Sequence, residues 1–160
     1  TLLIGADLRK PKIYEDFNRS NEKGLSSYLA GAYEYAEVIQ ATGFTNLDFI
    51  SAGQIPPNPF ELLGSDRFGQ LLSLLRENYD RIIIDTPPLG LVADTININH
   101  HFDNLIYVVR HNTTDKNALS YLNDLKNRQT IGQTNIVFNA VPQQSGYGYG
   151  YGYGYGYGYH

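Results

Sequence analysis

Aliphatic residues cluster in short runs along the chain, and each run ends at a polar or turn residue. The runs are nearly unbroken instead of alternating with polar residues, which is typical of strands buried on both faces of a parallel sheet. They predict β-strands over residues 2–6, 47–51, 81–86, 105–110 and 135–139.

Helical spacing of apolar residues appears between these runs. The clearest helix is predicted over residues 65–78, where Ser65 or Asp66 can cap the start and the apolar face is Phe68, Leu71, Leu72 and Leu75. A second is predicted over residues 114–129, ending before Gly132, with a face of Leu119, Leu122 and Leu125. Strands that alternate with helices predict an α/β fold, a three-layer sandwich around a mostly parallel sheet.

A Gly–Tyr dipeptide repeats from Gly146 to Tyr159 and sets the C-terminus apart. Glycine at every second position raises the entropy lost on folding, roughly 1–2 kcal/mol per ordered residue, and the repeat has no aliphatic side chain to offset it. We therefore expect a domain over residues 1–142 and a flexible tail over residues 143–160. Phenols on such a tether can reach an active site as substrates. Two alternatives are a self-associating strand with every ring on one face and a repeat expansion without function.

Composition narrows the function classes. The net charge of −4 gives no reason to expect nucleic-acid or acidic-membrane binding, although basic residues cluster once, at residues 9–12. The chain has no cysteine, so disulfides and thiolate ligands are excluded. Adjacent His100 and His101 are expected to point apart and not to form a metal site. Methionine is absent and the chain opens at Thr1 directly into an apolar run, so we expect a fragment of a longer protein, truncated at its N-terminus.

Two carboxylates follow predicted strands. Asp7 and Asp85 stand where the first and third aliphatic runs end. Ligands of open α/β sheets bind at the carboxyl ends of parallel strands, so these acids should face the binding crevice. Three isoleucines followed by Asp85 have the form of a Walker B strand, whose acid holds Mg²⁺ directly or through water. The alternative role for Asp85 is to cap the turn that follows.

Four segments in one order resemble the bacterial tyrosine kinases of the capsular and exopolysaccharide biosynthesis family, relatives of the ATPases MinD and ParA. Residues 4–11 (IGADLRKP) are similar to the second Asp-containing motif of that family, Walker A′, and residues 82–88 (IIIDTPP) to its Walker B motif. Residues 24–31 (GLSSYLAG) are similar to its helical stretch and residues 55–63 (IPPNPFELL) to its proline-rich loop. The resemblance covers nearly the whole chain.

The resemblance implies a P-loop NTPase-like fold and an ATP- and Mg²⁺-dependent protein-tyrosine autokinase. Asp85 would hold Mg²⁺, Asp7 would be the second acid of Walker A′ and a further metal-site residue, and Arg9 would contact the nucleotide. Asn139 would meet the nucleotide base, with a plain strand-end polar role as the alternative. The phosphoacceptors would be the tail tyrosines: Tyr147, Tyr149, Tyr151, Tyr153, Tyr155, Tyr157 and Tyr159.

The family resemblance also implies partners and a location. The kinase would form a homo-oligomeric ring that phosphorylates tails in trans, beside a membrane-spanning polysaccharide co-polymerase segment or adaptor. It would lie on the cytoplasmic side of the bacterial inner membrane, regulate capsule or exopolysaccharide synthesis and export, and be reset by a tyrosine phosphatase.

Two departures from the family pattern bear on activity. The glycine-rich Walker A loop has no counterpart in the chain and is expected upstream of Thr1. The first acid of Walker A′ is replaced by Gly5. Two further functions stay open: a MinD- or ParA-like ATPase with the same fold, and a catalytically silent interaction module of the polysaccharide assembly machinery, in which Gly5 would mark lost activity.

Overall fold

The computed structural model describes residues 1–90 and 93–142, and the tail tyrosines lie outside them. The elements in chain order are β1 (Leu2–Gly5), α1 (Ile13–Asp16), α2 (Leu25–Leu29), α3 (Tyr35–Val38), β2 (Ile39–Ala41), β3 (Asp48–Ile50), α4 (Pro59–Leu63), α5 (Asp66–Arg76), β4 (Ile82–Asp85), α6 (Asp94–Ile98), a 3₁₀ turn (Asn99–His101), β5 (Leu105–Arg110), α7 (Lys116–Asn127) and β6 (Thr134–Asn139).

The strands form two sheets in the described part of the chain. One has the order β2-β3-β1-β4, and the other pairs β5 with β6. β1 is parallel to both β3 and β4, and β5 is parallel to β6, so the predicted α/β class with a mostly parallel sheet is confirmed. β2 is antiparallel to β3 at the sheet edge. The sequence pattern missed β2 because its three residues, Ile39–Ala41, contain no aliphatic run.

The main core lies between the first sheet and the helices that cover it. The face of α5 is buried as its spacing predicts, with Phe68, Leu71, Leu72 and Leu75 all at 4% exposure or less. A second core of Leu122, Leu125 and Ile131 lies beneath β5, whereas Leu119, predicted on the same face, is exposed. Asp115 caps α7, since its carboxylate accepts a hydrogen bond from the backbone N–H of Asn117 at 2.7 Å.

A groove of about 460 Å³ separates β4 from β5. The pattern predicted one sheet, but within the described residues neither strand has a partner on this side. Ile83 of β4 and Ile106 and Val108 of β5 are more than half exposed. The sequence pattern suggests that these aliphatic strands are fully buried, but each has exposed apolar side chains. The groove is thus lined by apolar residues of the kind that a further strand would cover.

The loop after β3 packs directly on the start of α2. Leu25 and Ser26 donate backbone hydrogen bonds to the carbonyls of Ser51 and Ala52, at 2.7 and 2.9 Å. These bonds satisfy N–H groups that would otherwise lack partners at a helix start. The approach is so close that a Cβ on Gly24 would overlap the backbone of Ser51 and Gly53.

We predict that Gly24→Ala destabilises the protein by about 1–3 kcal/mol or more, because the added methyl meets backbone that cannot move aside. Urea unfolding followed by circular dichroism measures the change. Gly132→Ala is the matched control, since a Cβ at Gly132 meets nothing within 4 Å. Equal midpoints for Gly24→Ala and the control would contradict this packing.

Candidate functional site

The parallel register of β1 and β4 brings the two predicted acids to one sheet edge. Gly5 pairs with Asp85, and the ladder continues when the backbone N–H of Ala6 donates to the carbonyl of Asp85 at 2.7 Å. The chain then turns, which leaves Asp7 beyond the end of β1 and Asp85 at the end of β4. Both carboxylates therefore lie at the carboxyl edge, where open α/β sheets bind ligands.

Asp7 is oriented by the loop that it begins. Its Oδ1 accepts hydrogen bonds from the backbone N–H groups of Arg9, at 3.0 Å, and Lys10, at 2.9 Å. Leu8 is 1% exposed and anchors this turn in the main core. The carboxylate is half-buried and held by its own backbone, so its direction is set before any ligand arrives.

Arg9 lies in the same turn, with its side chain bound to Asp94 of α6. Nε donates to Asp94 Oδ2 at 2.6 Å and Nη2 to Oδ1 at 3.0 Å, a two-point contact with a fully buried carboxylate. The hydrogen bond to Asp94 raises the pKa of Arg9, and the charges of Asp94, Asp7 and Glu61 add to the increase against a smaller effect of burial. The predicted contact of Arg9 with a nucleotide stays a prediction, and two of the five N–H donors of its guanidinium are already bound to Asp94.

Thr95, the residue after Asp94, binds the turn that follows Asp85. Thr95 is 2% exposed, and its hydroxyl donates to the carbonyl of Pro87 at 3.0 Å. Sequence reasoning missed both Asp94 and Thr95. The available signal was two adjacent polar residues at the start of a short apolar helix, downstream of the Pro87-Pro88 turn.

Asp85 is exposed, but its surroundings disfavour the ionised form of its carboxylate. Partial withdrawal from water at the strand end raises its pKa, and the negative charge of Asp7 adds to the increase. Both effects oppose the ionised form of Asp85, and a cation bound at this edge would offset them.

The two carboxylates fit a magnesium site completed by a ligand. In the described residues, no three His, Cys, Asp or Glu side chains group closely enough to hold a metal ion by themselves. Mg²⁺ in phosphoryl-transfer sites is commonly bound by one or two carboxylates, with water and substrate phosphate at the other positions. Asp7 and Asp85 would supply that carboxylate share of the ligands.

Gly5 occupies a position with little free space. A Cβ built on Gly5 would lie 3.1 Å from the backbone nitrogen of Ala52 and 3.3 Å from a methyl group of Ile13. Those neighbours would have to shift by a few tenths of an ångström to admit any side chain. Glycine therefore fits this position more easily than a residue with a side chain would.

The remaining predicted site residues lie elsewhere. Asn139 ends β6 in the second sheet, where its side-chain oxygen accepts a hydrogen bond from the backbone N–H of Ala140 at 2.7 Å, and both of its proposed roles stay open. The rings of His100 and His101 do not point apart as expected. Their ring centroids lie 3.9 Å apart, with the ring planes tilted by 41°, in the 3₁₀ turn that follows α6. The helices described here include none that is both long and apolar enough to cross a bilayer.

Comparison with known proteins finds no matching family model. The chain is 44% identical to the tyrosine-protein kinase Etk of Escherichia coli K12 over 121 residues, which are 74% of this chain and 17% of that protein. It is 42% identical to the tyrosine-protein kinase Wzc of Salmonella typhi over 110 residues, 69% of this chain and 15% of that protein. The chain thus spans less than one fifth of these relatives.

Among solved structures, the chain is similar to the kinase domains of bacterial tyrosine kinases. The kinase domain of E. coli Etk superposes with a TM-score of 0.84 at 37% identity, covering 96% of this chain and 60% of that one. The VpsO kinase domain superposes with a TM-score of 0.80 at 32% identity, covering 88% of this chain and 70% of that one. The ATPase MinD of Pyrococcus horikoshii shares the fold, with a TM-score of 0.65 at 17% identity.

We predict that Asp85→Asn stabilises the isolated chain at neutral pH, raising Tm by about 1–2 °C, a small change because the group is exposed. The folded pKa of Asp85 lies above its unfolded value, so stability associated with the protonated carboxyl is present at low pH and lost as the pH rises through these values. The gain should therefore shrink as the pH falls to about 4.

Thermal unfolding in EDTA at pH 7.5 and pH 4 tests this dependence on protonation. Asp80→Asn, at an exposed carboxylate in the loop before β4, serves as the control. A gain that is equal at both pH values would show that the charge of Asp85 is not its source.

Proposed function

The chain belongs to the family of bacterial tyrosine kinases, and we propose that its parent protein is an ATP-dependent autokinase that phosphorylates the tyrosines of its own C-terminal tail. The observation that carries this proposal is the shared carboxyl edge of β1 and β4, at which both Asp7 and Asp85 lie. Phosphoryl transfer needs little covalent help from a protein and depends mainly on positioning and charge stabilisation. A preformed pair of acids at a strand edge supports that chemistry.

In this proposal Asp85 holds Mg²⁺, and Asp7 completes the acidic share of the site. The metal would neutralise charge on the transferred phosphate, as in other phosphoryl-transfer enzymes. Asp7 is directed by the N–H groups of Arg9 and Lys10, so little reorientation is needed when the nucleotide binds. Arg9 and Asn139 remain proposed nucleotide contacts.

The phosphate-binding loop would come from outside these 160 residues. The solved kinase domains are longer than the matched region, which covers 60% and 70% of the two compared above. The groove between β4 and β5 is lined by exposed Ile83 and Ile106 and by Thr86, next to Asp85. A strand inserted there would end beside Asp85 and carry its following loop to the acids.

The tail, the partners and the location complete the proposal. Seven tyrosines on a glycine-rich tether would serve as acceptors for a neighbouring subunit in a ring, beside a membrane-spanning polysaccharide co-polymerase segment or adaptor. The kinase would act on the cytoplasmic side of the inner membrane and regulate capsule or exopolysaccharide synthesis and export. A tyrosine phosphatase would reset the tail. Each phosphate would add about −1.5 to −2 charges, so the modification would dominate the charge of the region.

The second candidate function is a catalytically silent interaction module. Gly5 at the place of the first Walker A′ acid favours it, since a side chain there would require Ala52 and Ile13 to give way by a few tenths of an ångström. The tail would then bind a partner through its rings without being modified.

We predict that the 160-residue chain alone binds MgATP more weakly than about 0.1 mM, because two carboxylates without a phosphate cradle give few favourable contacts. Isothermal titration calorimetry with MgATP measures the affinity, with the kinase domain of E. coli Etk as the positive control. Micromolar binding by the chain alone would refute the proposed origin of the loop.

We predict that Asp85→Asn in the full-length protein lowers tail phosphorylation about a hundredfold or more, because the amide keeps its shape but loses the charge that holds the metal. Transfer from radiolabelled ATP to the tail measures the effect, and Asp80→Asn is the control. Equal phosphorylation by both variants would remove Asp85 from the site. A wild-type protein without transfer would favour the silent module.

A further inference from the structure

Two adjacent buried residues bind the two acid-bearing loops from one point. Asp94 is 0% exposed and Thr95 is 2% exposed, and they begin the five-residue helix α6. Asp94 binds Arg9, two residues beyond Asp7, and Thr95 binds Pro87, two residues beyond Asp85. Arg9 and Pro87 are thus each separated from the neighbouring acid by at most about 7 Å along the backbone. We name the pair Asp94 and Thr95 the α6 anchor.

The contact of Asp94 with Arg9 is specific in direction as well as in charge. The carboxylate receives two parallel N–H bonds, so the guanidinium plane is fixed relative to α6. Withdrawal of Arg9 would leave a fully buried carboxylate without its cation, which is strongly unfavourable. The turn of residues 7–10 therefore has one preferred position over α6.

Stability alone gives a weak reason for this arrangement. Buried ion pairs commonly stabilise no better than apolar side chains of similar size. The α6 helix already enters the main core through Ile98, which is 1% exposed. A buried carboxylate next to a buried hydroxyl, each bonded to a different loop, is better explained by the need to place those loops.

We propose that Asp94 and Thr95 are positioning residues that set the separation and orientation of Asp7 and Asp85. Neither touches the reacting groups. Asp94 acts through Arg9 on the turn that orients Asp7, and Thr95 acts through Pro87 on the turn that follows Asp85. The consequence for catalysis rests on the proposed kinase function, whereas the effect on the loops does not.

Backbone ¹⁵N relaxation of the 160-residue chain tests the effect on the loops. In Asp94→Asn we expect the order parameters of Arg9 and Lys10 to fall from about 0.85 towards 0.6, while those of Thr86, Leu89 and Gly90 change little. In Thr95→Val the pattern should be reversed. Should Asp94→Asn fail to fold, Arg9→Lys keeps a positive charge opposite Asp94 and removes the two-point contact.

Two controls separate positioning from a general loss of stability. Thr95→Ser keeps the hydroxyl and should restore the order of residues 86–90. Leu75→Ala weakens the main core near the C-terminal end of α5, which precedes the start of β4 and not its end, and should loosen neither loop. The inference is overturned if Asp94→Asn and Thr95→Val leave both loops as ordered as in the wild type, or if Leu75→Ala loosens them equally.

Steady-state kinetics of the full-length protein test the catalytic consequence. We expect Asp94→Asn and Thr95→Val each to lower kcat by about tenfold with little change in KM for ATP, and Thr95→Ser to recover most of kcat. Loosened loops with unchanged kcat would overturn the positioning role. If the wild type transfers no phosphate, the kinase proposal fails, and the relaxation result still decides whether the α6 anchor orders the loops.

Discussion

The parallel pairing of β1 with β4 is the constraint on which the candidate site depends. Because Gly5 is level with Asp85 and Ala6 bonds to its carbonyl, the two strands end at the same height. The residues that follow must then turn away at one edge, and this places Asp7 close enough to Asp85 to raise its pKa. A shift of one residue in this register would move Asp7 along the edge and reverse the face of every side chain on the shifted strand.

The site is held by contacts that contribute less to stability than to geometry. Asp94 is buried in an ion pair with Arg9, Asp85 has an unfavourable charge, and within the described residues the β4 edge is open to the groove. An apolar replacement of the ion pair and a neutral residue at the strand end would suit the fold alone equally well. Their combination at one edge of a well-packed sheet is typical of a protein that gives up stability at a working site.

Local features of the fold could be predicted from the sequence, and distant pairings could not. The range of β5 was predicted in full and those of β1 and β4 to within two residues, because buried aliphatic runs are local signals. The strand-end rule indicated Asp7 and Asp85 for the same reason. Asp94 was missed because its partner lies 85 residues away in sequence. The groove was missed because an aliphatic run gives no information about which neighbours are present on each side.

The packing around Gly5 bears on whether the protein is an active kinase or a catalytically silent module. A side chain there would push on Ala52, whose carbonyl receives the N–H of Ser26 at the start of α2. That loop is already fixed by the close contact of Gly24 with Gly53, so it has little room to retreat. An acid at position 5 would therefore strain the same packing that orders the carboxyl edge. The turns after Asp7 and Asp85 have other attachments, because Arg9 binds Asp94 and Pro87 accepts a hydrogen bond from Thr95. Loss of the first acid thus leaves the remaining pair in place, and activity depends on whether two acids and a phosphate-binding loop are enough for transfer.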